Sequence, residues 1–144
     1  MRAVVQRVKE ASVKIGQDIV GHIDHGFLVY LGVKVDDTKE IAIKMAQKIH
    51  HLRIFEDEEG KMNKDLDQVK GSILLISQFT LYGDTKGNNR PSFILAGRPD
   101  VAKPLYDVVF DELSKHHHVE TGQFGADMKV SSINDGPVTI QIEL

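Results

Sequence analysis

The sequence predicts an α+β fold: a mostly antiparallel, barrel-like β-sheet with two main helices packed on it. Three observations predict it. Strand-like segments come in runs rather than in regular alternation with helices, which separates α+β from α/β chains. Only two stretches carry strong helical periodicity. The last segment sets Val138, Ile140, Ile142 and Leu144 against Thr139, Gln141 and Glu143. That strand has one buried face and one polar face.

The N-terminal third reads as β. Ala3 to Val8 is strand-like, and Ala11 to Ile15 alternates. Gly16-Gln17-Asp18 turns the chain and Ile19 to Ile23 returns, which predicts a hairpin. Phe27 to Val33 is almost wholly apolar, as expected of a central strand covered on both faces. A helix follows. Asp37 and Glu40 stand at capping-box spacing with Thr38 as the alternative cap. Ile41, Met45, Ile49 and Leu52 make its buried stripe. Asp57-Glu58-Glu59-Gly60 reads as an acidic hairpin loop, and Ile73 to Phe79 as a strand. The second helix runs from Asp100 to about Lys115, with Leu105, Val108, Val109 and Leu113 mostly on one side. Pro104 belongs near its first turn, since deeper in it removes a backbone bond. Met128 to Ile133 and Val138 to Leu144 are closing strands, joined by the turn residues Asn134-Asp135-Gly136-Pro137.

A chain of 144 residues, 41% apolar and 27% charged, is expected to form one domain over 1–144 with a substantial core. No apolar run approaches the ~20 residues that span a bilayer, and the charged N-terminus does not resemble a secretory signal. A cytoplasmic location with no membrane partner is the expectation. The absence of cysteine excludes disulfides, thiolate metal sites and a cysteine nucleophile. A net charge of −3 does not announce nucleic-acid binding, although a local basic patch suffices for a short contact.

The richest segment is Ser77-Gln78-Phe79-Thr80-Leu81-Tyr82-Gly83-Asp84. The apolar run Ile73 to Ile76 delivers Ser77, Gln78 and Thr80 to a strand end, where backbone amides come free. Donors fixed by a sheet suit an oxyanion, because they need no reorganisation during reaction. The plain alternative is a core strand followed by a polar turn. Gln78 is placed to orient substrate. Thr80 is either a nucleophile or a hydrogen-bond partner; a nucleophilic hydroxyl needs a base within reach, and no His or carboxylate has a claim to that place. No G-x-S-x-G elbow occurs.

Asn134-Asp135-Gly136-Pro137 is otherwise an ordinary turn, but X-Pro is where a cis peptide is cheap and glycine allows close approach of a ligand. Lys86 and Arg90 lie in the polar loop 85–93, either a surface loop or a phosphate or ribose contact, with Phe93 as a buried anchor. Arg7 interrupts an apolar strand, as an edge residue or as the partner of a buried carbonyl near a site. His116-His117-His118 reads as a solvated helix end, since consecutive helical residues point in different directions.

Taken together, several motifs resemble the D-aminoacyl-tRNA deacylases, the chirality-editing enzymes of translation. They are Met1 to Val8, Leu52-Arg53-Ile54-Phe55, Gly60 to Asn63, Ser77 to Gly83, Arg90 to Phe93, Thr121 to Met128 and Asn134 to Thr139. The resemblance covers the whole chain, and the motifs occur in the family's order. Where Gly83 stands the family commonly has Ala. The resemblance implies a homodimer with active sites at the subunit interface, acting on the aminoacylated 3′ end of tRNA. Ser77, Gln78, Phe79 and Thr80 of one chain would form the catalytic segment. Gly136 and Pro137, in cis, would enter from the other, with Asn134 and Met128 beside them and Arg7 orienting the Gly-Pro pair. D-Aminoacyl-tRNA and glycyl-tRNA are the implied substrates, without metal or cofactor. It also suggests that the 2′-hydroxyl of the terminal ribose assists, which leaves the role of Thr80 open.

The physics agrees with that implication. An enzyme that edits every D-residue cannot select side chains, and a hydrophobic pocket gains only ~1–3 kcal/mol per methylene. A rigid main-chain wall near the α-carbon excludes any L side chain. Two rival readings remain at this stage: a nucleic-acid or nucleotide binding module, and a hydrolase of free D-amino acid esters or N-acylated D-amino acids.

Overall fold

The computed structural model describes residues Met1–Leu144. Its strands are β1 (Arg2–Ile15), β2 (Asp18–Ile23), β3 (Gly26–Gly32), β4 (Phe55–Glu56), β5 (Met62–Lys64), β6 (Ser72–Ser77), β7 (Val119–Thr121) and β8 (Lys129–Glu143). The helices are α1 (Lys39–His50) and α2 (Pro99–Ser114). The main sheet runs β2-β1-β3-β6-β7, and β8 pairs with β1. Pairings of β1 with β2, β3 and β8 are antiparallel. Those of β3 with β6 and β6 with β7 are parallel. The expected α+β, mostly antiparallel and barrel-like architecture stands, with a parallel pair at its centre. Parallel neighbours require a crossover, and α1 with the β4-β5 hairpin supplies it. No helix is long and apolar enough to cross a membrane.

The two expected N-terminal segments are one strand, β1. Lys9 and Glu10 are its exposed break, at the irregularity in pairing with β8 between Val8 and Glu10. Beyond that point the strand folds over the sheet. Its first half, through Ala3 and Val5, joins Met1, Phe27, Val29, Leu31, Ile73 and Leu75 in the large core beneath both helices. Its second half, through Val8, Ala11 and Val13, covers Leu28, Leu74 and Ile76 on the opposite face. β3 and β6 are therefore buried on both sides, which is why their sequences are continuously apolar. Gly21 lets β2 cross β7: a Cβ there would lie 2.6 Å from the Thr121 carbonyl oxygen.

Helix α1 is capped by Thr38, whose hydroxyl accepts from the Ile41 amide. Asp37 is unavailable because it takes the Met1 ammonium at 2.8 Å and the Lys34 amide at 2.7 Å. Helix α2 begins at Pro99, so Pro104 sits in the second turn rather than the first. Its buried stripe is Ala102, Tyr106, Val109 and Leu113, one residue round from the expected Leu105 and Val108. Tyr106 anchors α2 to the sheet, its hydroxyl donating to the Leu75 carbonyl at 2.7 Å in the interior. Burial also raises the Tyr106 pKa, so the hydroxyl stays a donor. Tyr106→Phe is expected to cost about 1–1.5 kcal/mol of stability in denaturant unfolding, the net worth of one buried hydrogen bond.

Strand β6 ends at Ser77, two residues before the expected Phe79. The residues Asn134–Pro137 are not a chain reversal. They lie within β8, which runs unbroken past them. The His116–His118 run is not wholly solvated either, because His117 turns inward with its side chain 2% exposed. Strand β7 follows it, unforeseen in the sequence because three half-buried residues carry no periodicity.

Candidate active site

Strand β6 delivers the Ser77 segment to the end of the sheet. Ser77 is paired with Leu31, and the Gln78 amide makes the last ladder bond, to the Leu31 carbonyl at 2.8 Å. The backbone then tightens into a 3-10 turn, Phe79–Tyr82. Inside it Leu81 donates to Gln78 and Gly83 to Thr80. The amides of Phe79 and Thr80 open the turn and donate to no backbone carbonyl. Helical geometry leaves the first amides without acceptors, so two donors stand free side by side.

This turn is held from below. Arg2 Nη1 donates to the Leu81 carbonyl at 2.9 Å and the guanidinium lies 4.7 Å from the centre of the Tyr82 ring. Gly32 allows the close approach, since a Cβ there would be 3.0 Å from the Gln78 carbonyl oxygen. Gln78 Nε2 donates to Thr80 Oγ1. An amide N–H cannot accept a proton, and no His or carboxylate bonds to Thr80.

Beside the turn is a cavity of about 530 Å³, lined mainly by apolar side chains. Ser77, Gln78, Phe79 and Met128 border it, together with Leu31, Phe93, Pro99, Tyr106 and Phe124. Its size and its apolar wall with few polar groups are those of a small-molecule site. Phe93, expected as a buried anchor, instead stands at the mouth edge-on to Phe79, with ring centroids 5.1 Å apart. Phe79, Phe93, Ile94 and Leu95 are all exposed there, Phe79 by 56% and Ile94 by 84%.

The second motif is elsewhere. Between Gln6↔Thr139 and Val8↔Asn134, two steps of β1 face five of β8, so three extra residues bulge out of the ladder. The Asn134 side chain replaces the missing ladder bonds: Oδ1 accepts from the Val138 amide at 3.1 Å and Nδ2 donates to Thr139 Oγ1 at 3.0 Å. Arg7 is buried and clamps the bulge, its Nε donating to the Asp135 carbonyl at 3.2 Å and its Nη1 to the Ile54 carbonyl at 2.8 Å. The Asp135 carboxylate lies 3.5 Å from the same Nε. Arg7 is thus the partner of buried carbonyls, not an edge residue. Gly136 and Pro137 are exposed at the tip, and their peptide is cis.

One chain does not bring the two motifs together. The bulge on β8 sits level with Arg7 and Phe27, the turn after β6 with Leu31, and β1 and β3 lie between. Four residues along the strands and three strands across make a separation on the order of 20 Å. Lys86 and Arg90 are exposed on the loop following the turn, which Asp84 and Ser92 close by a pair of backbone bonds of 2.8 Å each. Sequence reasoning did not single out Tyr106, Pro99 or Phe124 as cavity residues. The only signal was the stretch Thr121 to Met128, whose Phe124 and Met128 both face the cavity.

The family model described as D-Tyr-tRNA(Tyr) deacylase matches residues 4–143. A D-aminoacyl-tRNA deacylase of Thermus aquaticus is 54% identical over 144 residues, 99% of this chain and 95% of the relative. That of Desulfotalea psychrophila is 53% identical, covering 99% and 97%. Among solved structures, the c-Myc DNA unwinding element binding protein superposes with a TM-score of 0.94 at 40% identity, over 100% of this chain and 99% of that one. A probable eukaryotic D-amino acid tRNA deacylase shares the fold, with a TM-score of 0.85 at 19% identity over 99% and 98%. Matched from end to end at this identity, the chain belongs to the D-Tyr-tRNA(Tyr) deacylase family.

Proposed function

We propose that the protein hydrolyses the ester joining a D-amino acid to the terminal adenosine of tRNA, releasing free D-amino acid and tRNA, and that it acts on glycyl-tRNA as well. The observation that carries this reading is the pair of unpaired amides at Phe79 and Thr80 beside an apolar cavity, in a chain of this family. A carbonyl oxygen placed between those amides is stabilised as it gains negative charge. Gln78 orients Thr80 and the ester. Thr80 serves as a hydrogen-bond partner rather than a nucleophile, because its side-chain partner is the Gln78 amide and not a His or carboxylate base. Water attacks the carbonyl, the ester C–O bond breaks, and the ribose oxygen leaves with a proton. The adjacent 2′-hydroxyl of the substrate assists. An aminoacyl ester is already activated, so this sequence assigns no step to a metal.

Stereochemistry comes from Gly136 and Pro137 of a second copy. Two features support that arrangement. The bulge is too far from the turn to serve its own chain. Phe79, Phe93, Ile94 and Leu95 expose a contiguous apolar patch at the cavity mouth, of the kind that marks an association surface. In the homodimer each bulge caps the partner's cavity, and Lys86 and Arg90 meet the phosphates of the tRNA end.

The test is deacylation of matched D- and L-tyrosyl-tRNA. D-Tyrosyl-tRNA is expected to turn over at least 100-fold faster, with glycyl-tRNA also cleaved. Equal rates for the two enantiomers, or no turnover of either, would overturn the reading.

A further inference from the structure

The histidines after α2 separate in the structure. His118 stays exposed. His116 stacks on His50 with ring centroids 4.3 Å apart. His117 turns inward until its Nε2 is 2.8 Å from His50 Nδ1. Asp67 closes the triangle, with Oδ1 3.4 Å from His117 Nδ1 and Oδ2 3.9 Å from His50 Nε2. Three elements meet here: the end of α1, the end of α2 and the loop between β5 and β6. One potential ligand atom from each residue lies within 4.8 Å of the others.

Hydrogen bonds within the triangle leave it unbalanced. A neutral imidazole has one donor and one acceptor nitrogen, and an ionised carboxylate only accepts. The His50–His117 contact uses one donor and one acceptor. Neither outer nitrogen makes a hydrogen bond to Asp67, and one of the two carries a free lone pair near its carboxylate. A cation there would be held by both. Both helices also direct their C-terminal ends here, where the free carbonyls carry negative partial charge.

We propose that His50, Asp67 and His117 form a binding site for a divalent transition metal of the zinc class, tying the ends of α1 and α2 to the loop before β6. Two imidazoles and a carboxylate are ligands of that class. Tetrahedral ligands at zinc distances stand about 3.4 Å apart, the spacing that His117 Nδ1 and Asp67 Oδ1 already have. A small rotation of His50 frees it from His117 and brings its Nε2 to the ion. Water or the stacked His116 completes the shell. The site is structural. Tyr106, on the cavity wall, and Ser114, the last residue of α2, are eight residues apart, which is roughly 12 Å of helix.

The test uses the full chain after treatment with chelator. Co²⁺ is titrated in and its visible absorption followed; Zn²⁺ is then added and the melting temperature measured. One Co²⁺ per chain is expected, with the intense bands of four- or five-coordinate cobalt. A hundredfold excess of Zn²⁺ over its Kd is expected to raise Tm by about 5–10 °C. Asp67→Asn, at a side chain 53% exposed, keeps the fold and loses both signals. His117→Gln loses the cobalt bands as well. No stoichiometric uptake, a weak six-coordinate spectrum, or binding unchanged in Asp67→Asn would overturn the proposal.

Discussion

Phe79→Pro is expected to lower kcat on D-tyrosyl-tRNA by about 10²–10³-fold, the effect of removing one oxyanion donor, while Phe79→Ala stays within about tenfold. The two variants separate the backbone from the ring. Proline removes the N–H and keeps a fixed φ near −65°, which suits the first position of a helical turn. The backbone accepts it because the preceding residue, Gln78, has φ −145° and ψ 79°, outside the α region that a following proline disfavours. No hydrogen bond within the turn is lost, since the Phe79 amide donates to no carbonyl. Alanine removes the ring and its edge-on contact with Phe93 but keeps the amide. Steady-state deacylation with melting curves for both variants checks the prediction. If the two lose activity equally, the ring matters and the amide does not. If neither loses activity, the carbonyl oxygen binds elsewhere.

That the proposed donor is a backbone group explains how much of the site was legible. The apolar run Ile73 to Ile76 marks a strand wherever it occurs, and Ser77 to Thr80 lie just beyond it. Where the strand stops is not local information. The Gln78 amide finds its last acceptor on Leu31, 47 positions earlier, and only then does the chain tighten into the turn. Asn134-Asp135-Gly136-Pro137 shows the same limit from the other side. Its composition is that of a turn, and alternation on both flanks is compatible with a hairpin. Pairing with β1 along both flanks keeps β8 continuous and pushes the extra residues outward. Arg7 could be assigned to a buried carbonyl only once Ile54 and Asp135 were seen to converge on it. The histidine run failed for a related reason. Neighbours on one helix do not converge, but His117 and His50 come from two helices, and no local spacing records that meeting.

Gly136→Ala is expected to reduce the D-over-L ratio of kcat/KM by about 100-fold, equivalent to ~2.7 kcal/mol of lost discrimination. The position tolerates only glycine on two grounds. Its φ is +125°, a region essentially closed to side chains. An added Cβ would also sit 2.8 Å from Val138 Cγ2 and 3.0 Å from Arg7 Nη2. Val138 is buried in the core and Arg7 is fixed by the Ile54 carbonyl, so neither retreats freely and the bulge tip must move. Discrimination at an α-carbon rests on whether a side chain or a hydrogen faces the wall. A displacement of about 1 Å is enough to degrade a site held to that tolerance. The D-substrate, which presents hydrogen to the wall, suffers less than the L-substrate gains. Arg7→Lys provides an independent displacement, because a lysine cannot hold the Asp135 and Ile54 carbonyls with one planar fork. It should narrow the same ratio without adding any atom to the tip. Retention of the full ratio in both variants, with melting temperatures near that of the parent, would mean that chirality is read away from this bulge.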